Sequence, residues 1–107
     1  MKDKSLLVKL IGETPLFKIV DFLIENKGND FSKTEIAKGS EISRASLFNH
    51  WIELENSGIL KVTRKFGKTK LYSLNSKNPI VEKLLELEKT LIRQSMLKAK
   101  EELTISV

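Results

Sequence analysis

The sequence predicts an α+β, mostly helical fold: several short helices, one two-stranded β-hairpin, and a long helix near the C-terminal end. Three stretches carry that expectation. Residues 35–60 read as two helices joined by a tight turn and followed by a strand. Arg64-Lys65-Phe66-Gly67-Lys68-Thr69-Lys70 reads as the tip of a basic hairpin. From Asn78-Pro79 onward, apolar residues recur at helical spacing as far as about residue 102.

Each element has a local reason. Residues 5–11 place Leu6, Leu7, Leu10 and Ile11 on one side of a short helix that Gly12 stops. Thr14-Pro15 starts the next helix, with a capping hydroxyl followed by proline at the first helical position. Leu16, Ile19, Val20 and Leu23 form its apolar stripe through residue 27, and Gly28 ends it. Ser32 and Glu35 make the S-x-x-E capping pattern of a short helix that closes at Gly39.

Ser43 caps the helix that follows, over residues 43–56. At about 100° per residue, Leu47, His50, Trp51 and Leu54 share the sector that must be buried. Ala45 and Asn49 lie opposite, and Ser46, Phe48, Ile52 and Glu53 flank them. The outward face is short-chained and polar near its N-terminus, a shape that fits a DNA major groove ~12 Å wide.

Gly58 ends that helix. Ile59-Leu60-Lys61-Val62-Thr63 has the β-branched content of a strand, Phe66-Gly67-Lys68-Thr69 supplies a turn, and Lys70-Leu71-Tyr72-Ser73-Leu74 returns. Asn78-Pro79 then opens the last helix, 79–102, about 35 Å long at 1.5 Å per residue. Helix-turn-helix followed by a basic hairpin is a winged helix-turn-helix pattern, with residues 15–75 as its core.

Bulk properties narrow the class. A chain of 107 residues holds one domain with one modest core. Charged residues make up 31%, and no stretch approaches the ~18 consecutive apolar residues of a membrane span. Lys9 interrupts the apolar run at 5–11, which has no small-residue cleavage site after it, so a secretory signal is not expected. Cysteine is absent, which removes disulfides and thiolate metal sites. A cytoplasmic, nucleoid-associated protein is the expectation.

The net charge of +5 is localised. Residues 1–30 carry five basic and five acidic side chains, and residues 76–107 carry six and five. Residues 31–75 carry eight and four, so most of the excess sits on the helix-turn-helix and hairpin. A localised basic surface attracts a polyanion and supports phosphate contacts.

The matching residues Glu35-Ile36-Ala37, Ile42-Ser43-Arg44-Ala45-Ser46-Leu47, His50-Trp51, Glu53-Leu54-Glu55, Gly58-Ile59-Leu60 and Tyr72-Ser73-Leu74-Asn75 resemble the winged-helix transcription regulators of prokaryotes, broadly the ArsR-like and MarR-like groups. The resemblance covers about residues 15–75. Two departures stand out: Glu41 holds the turn position often occupied by glycine, and Trp51 replaces the usual leucine. The resemblance implies that helix 43–56 is a recognition helix. On it, Ser43 and Ser46 would bond phosphates or bases, Arg44 a phosphate or guanine, Asn49 an adenine, and the Ala45 methyl a thymine methyl. Ser43 also serves as a cap. Two roles are open for Phe48, DNA contact or packing with Ile52 against the first helix. Wing residues Arg64, Lys65, Lys68 and Lys70 would clamp backbone or minor groove, and Lys33 would touch a phosphate.

His50 has no second histidine or cysteine with which to form a metal site, and no nucleophile–base pair or phosphate loop is present. Neither metal, cofactor nor enzymatic activity is expected. The long helix exposes two apolar lines, with Val81, Leu84, Leu85, Leu87, Leu91, Ile92 and Met96 as candidate dimerisation residues. A second copy would cover them, or the helix at 5–11 would do so within one chain. The expected function is a homodimeric, sequence-specific regulator of double-stranded DNA. The alternatives are a protein–protein assembly module and a nonspecific architectural DNA binder.

Overall fold

Four hydroxyl side chains set where the first four helices begin. Ser5, Thr14, Ser32 and Ser43 each have an extended backbone, and each oxygen accepts a backbone N–H three residues on, from Val8, Phe17, Glu35 and Ser46 at 3.0–3.2 Å. Such a cap satisfies one of the donors that a helix start leaves without an intrahelical partner. The computed structural model describes residues 4–105. The helices are α1 (Leu6–Ile11), α2 (Pro15–Glu25), α3 (Lys33–Gly39) and α4 (Arg44–Ser57), followed by strands β1 (Leu60–Phe66) and β2 (Thr69–Leu74) and then α5 (Pro79–Ile105).

The capping box at Ser32 and Glu35 forms in both directions, with the Ser32 N–H donating to Glu35 Oε1 at 2.9 Å. Helix α2 ends earlier than Gly28 suggests. Asn26 terminates it, and the Asn26 side-chain amide donates to the Phe22 carbonyl at 2.8 Å. Helix α3 closes at Gly39, as the sequence suggests. A Cβ there would overlap the Phe22 ring, so glycine is required by the close approach of α3 to α2. The chain reverses two residues later, where Glu41 adopts φ +58°, the left-handed conformation that glycine takes without penalty.

The core gathers one face from each helix and one from the hairpin. Leu7, Ile19, Leu23, Ile24, Ile36, Leu47, Leu54 and Val81 are its fully buried side chains. Trp51 and Tyr72 join them, ring edge against ring face with centroids 4.8 Å apart.

The strands pair antiparallel from Leu60↔Leu74 to Phe66↔Thr69, so both run closer to the turn than their β-branched content implies. The register shifts between Val62 and Arg64, a bulge that sets Thr63 out of the ladder. Gly67 begins the two-residue turn at φ +58°, the positive value that a II′ hairpin places there. Phe31 adds a short third rung, exchanging two backbone hydrogen bonds of 2.8 Å with Tyr72.

Two asparagines join α4 to α5. Asn75 Nδ2 donates to the Gly58 carbonyl at 3.0 Å and Asn78 Nδ2 to the Ser57 carbonyl at 2.9 Å. Asn78 Oδ1 in turn accepts the Ile80 N–H at 2.8 Å, so one side chain ends α4 and starts α5. Helix α1 packs on α5. Val81 is 0% exposed within the chain's own core, so it is not available to a second copy. Leu84, Leu85, Leu87 and Leu91 are partly buried against that same core. Of the seven candidate dimerisation residues, only Ile92 and Met96 are exposed, at 44% and 68%. The expectation that the apolar lines of α5 are uncovered is therefore corrected for its first half. No helix among the described residues is long and apolar enough to cross a membrane.

Candidate nucleic-acid interface

Helix α4 is anchored through Leu47, Trp51 and Leu54, all buried, and this fixes which residues face away from the core. Arg44, Ala45, Phe48, Asn49 and Ile52 are exposed, while Ser46 and His50 are half-buried. Ser43 is engaged as the cap, which leaves its hydroxyl hydrogen free to donate. Phe48 and Ile52 do not take the packing role against the first helix that the sequence left open. They stand 62% and 70% exposed.

Trp51 has a reason to stand where a smaller residue is usual. Its ring reaches from α4 to Tyr72 on β2 and so braces α4 against the wing. The Lys33 ammonium lies over the same ring, 4.8 Å from its centroid, and 5.9 Å from that of Phe48. Such a cation–π position holds a lysine in place without neutralising it. Burial, and after it the charge of Glu55, raises the Tyr72 phenol above its ordinary pKa, so it stays neutral at physiological pH.

Lys33 also lines a groove between the start of α3 and the wing, with Ser32, Thr34, Lys68, Thr69, Lys70 and Tyr72 as the other walls. Arg44 comes to the same surface from α4, donating from Nη2 to Thr34 Oγ1 at 3.1 Å. Lys65 sits directly across the hairpin from Lys70. Cross-strand partners share one face, so two like charges stand side by side there, at a cost to the hairpin. Lys33, Arg44, Lys65, Lys68 and Lys70 thus converge from three elements. Four of the groove residues, Ser32, Thr34, Thr69 and Tyr72, were not expected as site residues from sequence.

Arg64 departs from expectation. The sequence places it with the other wing residues as a DNA clamp, but its guanidinium is committed to Asp30. Nε donates to Oδ2 and Nη2 to Oδ1, each at 2.9 Å. The Thr63 hydroxyl donates to the same carboxylate at 2.6 Å. Hydrogen bonds from Arg64 first, and from Thr63 next, lower the Asp30 pKa from 3.8 to about 2, and the pair correspondingly raises that of Arg64. Arg64 therefore holds the wing bulge to the segment before α3. No sequence signal marks this, because the partners are 34 residues apart.

No family model matches the sequence, and no curated protein sequence does. Solved structures match over most of the chain. HlyU from Vibrio cholerae is 27% identical with a TM-score of 0.55, covering 80% of this chain and 84% of its own. AntR, described as an antimony-specific transcriptional repressor, is 23% identical with a TM-score of 0.56 over 86% of this chain and 78% of its own. Sso10a-2, a DNA-binding protein from Sulfolobus solfataricus, is 21% identical with a TM-score of 0.52 over 86% and 94%. In fold, the chain is a winged helix-turn-helix protein of the kind found among the ArsR-like and MarR-like transcription regulators.

Proposed function

We propose that this chain is a sequence-specific regulator that binds double-stranded DNA as a homodimer. The observation that carries the reading is the convergence of Lys33, Arg44, Lys65, Lys68 and Lys70 beside the exposed face of α4. In it, the exposed face of α4 enters the major groove and the wing lies on adjacent backbone. Arg44 and Asn49 contact base edges, Ala45 and Ser46 flank them, and the lysines neutralise phosphates. The AntR and Sso10a-2 descriptions support this reading through the shared fold. The like-charged Lys65–Lys70 pair supports it further, since a hairpin kept only for stability gains nothing from it.

The homodimer rests on the second half of α5, where Ile92, Met96, Leu97 and Leu103 are 44–71% exposed. An apolar line of that length on a helix running past the core is suited to pairing with a second copy.

The test is a set of binding titrations on enriched and scrambled duplexes across a range of salt. Specific regulation predicts a preference for the enriched duplex that persists as salt rises, together with a steep salt slope. Arg44→Ala and Asn49→Ala should each remove about 1–3 kcal/mol of discrimination at one position per half-site. Equal affinity for all duplexes would support the architectural alternative, and absence of binding would support an assembly module.

A further inference from the structure

Phe48 and Ile52 are one helical turn apart on α4, on the same face, and both are mostly exposed. Neither supports the fold, because the core contacts of α4 run through Leu47, Trp51 and Leu54. Large apolar side chains grouped on one exposed helix face mark a surface that can receive a partner. Its surroundings identify the occupant. The ammonium of Lys33 lies 5.9 Å from the Phe48 centroid and lines the groove that Lys68 and Lys70 also line. Arg44 is one turn before Phe48, fastened to Thr34 of the same groove. An apolar protein partner would have to bury these cations unpaired, whereas a nucleic-acid backbone would neutralise them.

Within a DNA major groove, the one apolar group on a base edge is the C5-methyl of thymine. We infer that Phe48 and Ile52 read thymine methyl groups, making them specificity-determining residues that favour A·T pairs beneath the second and third turns of α4. The inference rests on the DNA-binding reading and adds a base preference to it. The side chains need no hydrogen bond to act. They bury a methyl that adenine, guanine, cytosine and uracil lack.

The experiment uses the full chain with two alternating duplexes of equal length at fixed salt, one of A·T pairs and one of A·U pairs. They differ only in the methyl group. The expected result is binding to the A·T duplex at least about fourfold tighter, the worth of one buried methyl-sized group. Phe48→Ala and Ile52→Ala should bring that ratio toward one while leaving the melting temperature nearly unchanged. Equal wild-type affinities would overturn the inference while leaving DNA binding intact. A ratio that survives in both variants would overturn it too, assigning the preference to duplex shape. Binding to neither duplex would overturn it together with the DNA-binding reading.

Discussion

Asp30 holds Arg64 with both carboxylate oxygens at 2.9 Å, across 34 residues of sequence, and the Thr63 hydroxyl completes the grip at the wing bulge. The wing is thereby tied to the segment entering α3, the helix that brings Lys33 and Thr34 to the groove. This clamp and the Trp51–Tyr72 contact fasten the wing to the segment before α3 and to α4.

The clamp has an acid signature. The Asp30 pKa is about 2 in the folded chain, below its ordinary 3.8, so the folded state releases the proton more readily than the unfolded one. Its contribution is complete above pH 4 and disappears as the pH falls toward 2. Melting temperatures measured across that range should fall for the wild type. The Asp30→Asn variant should melt lower at neutral pH and show a flatter profile. Parallel profiles would mean that the carboxylate does not support the wing.

Wing lysines and the wing arginine should separate in function. Lys65→Ala with Lys68→Ala should weaken binding about equally on every duplex. The log–log salt slope should drop by about 2 per protomer, because each phosphate that a lysine neutralises adds ~0.9 to it. Arg64→Ala should instead lower the melting temperature, with a smaller change in slope. Lys70→Glu should raise the melting temperature slightly, because it turns the Lys65–Lys70 repulsion into attraction, yet weaken binding. An unchanged slope in the double variant would remove these lysines from the interface.

Gly39→Ala tests the packing of α3 on α2. The added Cβ would overlap the Phe22 ring, which also packs against Phe31 at 4.9 Å between centroids. Overpacking of this kind costs about 1–3 kcal/mol, read from chemical denaturation. A neutral result would show that the Phe22 ring rotates freely into another position.

The dimer can be separated from the fold at Ile92 and Met96. Replacing both with Glu should yield a folded monomer with much weaker binding to a two-half-site duplex, since linkage of the half-sites is lost. Sedimentation of the wild type and the variant decides the matter, and a monomeric wild type at micromolar concentration would end the homodimer reading. Truncation before α5 is the poorer experiment, because it would strip Val81 from the core.

Local chemistry explains what was legible in the sequence by itself. Hydroxyl caps, the Ser32–Glu35 box, the Leu47–Trp51–Leu54 spacing and the Gly67 turn each involve residues within a few positions of one another. Patterns over such short distances determined the element order and the outward face of α4. The winged helix-turn-helix fold followed from that order. Tertiary structure alone decided relationships between distant segments. It paired Arg64 with Asp30, placed Gly39 against Phe22, and brought Lys33 beside Phe48 and the wing. It also packed α1 on α5 and buried Val81 in the core, while Ile92 and Met96 stayed exposed. Apolar spacing identifies a face that must be covered, but it carries no information on which segment, of this chain or another, covers it.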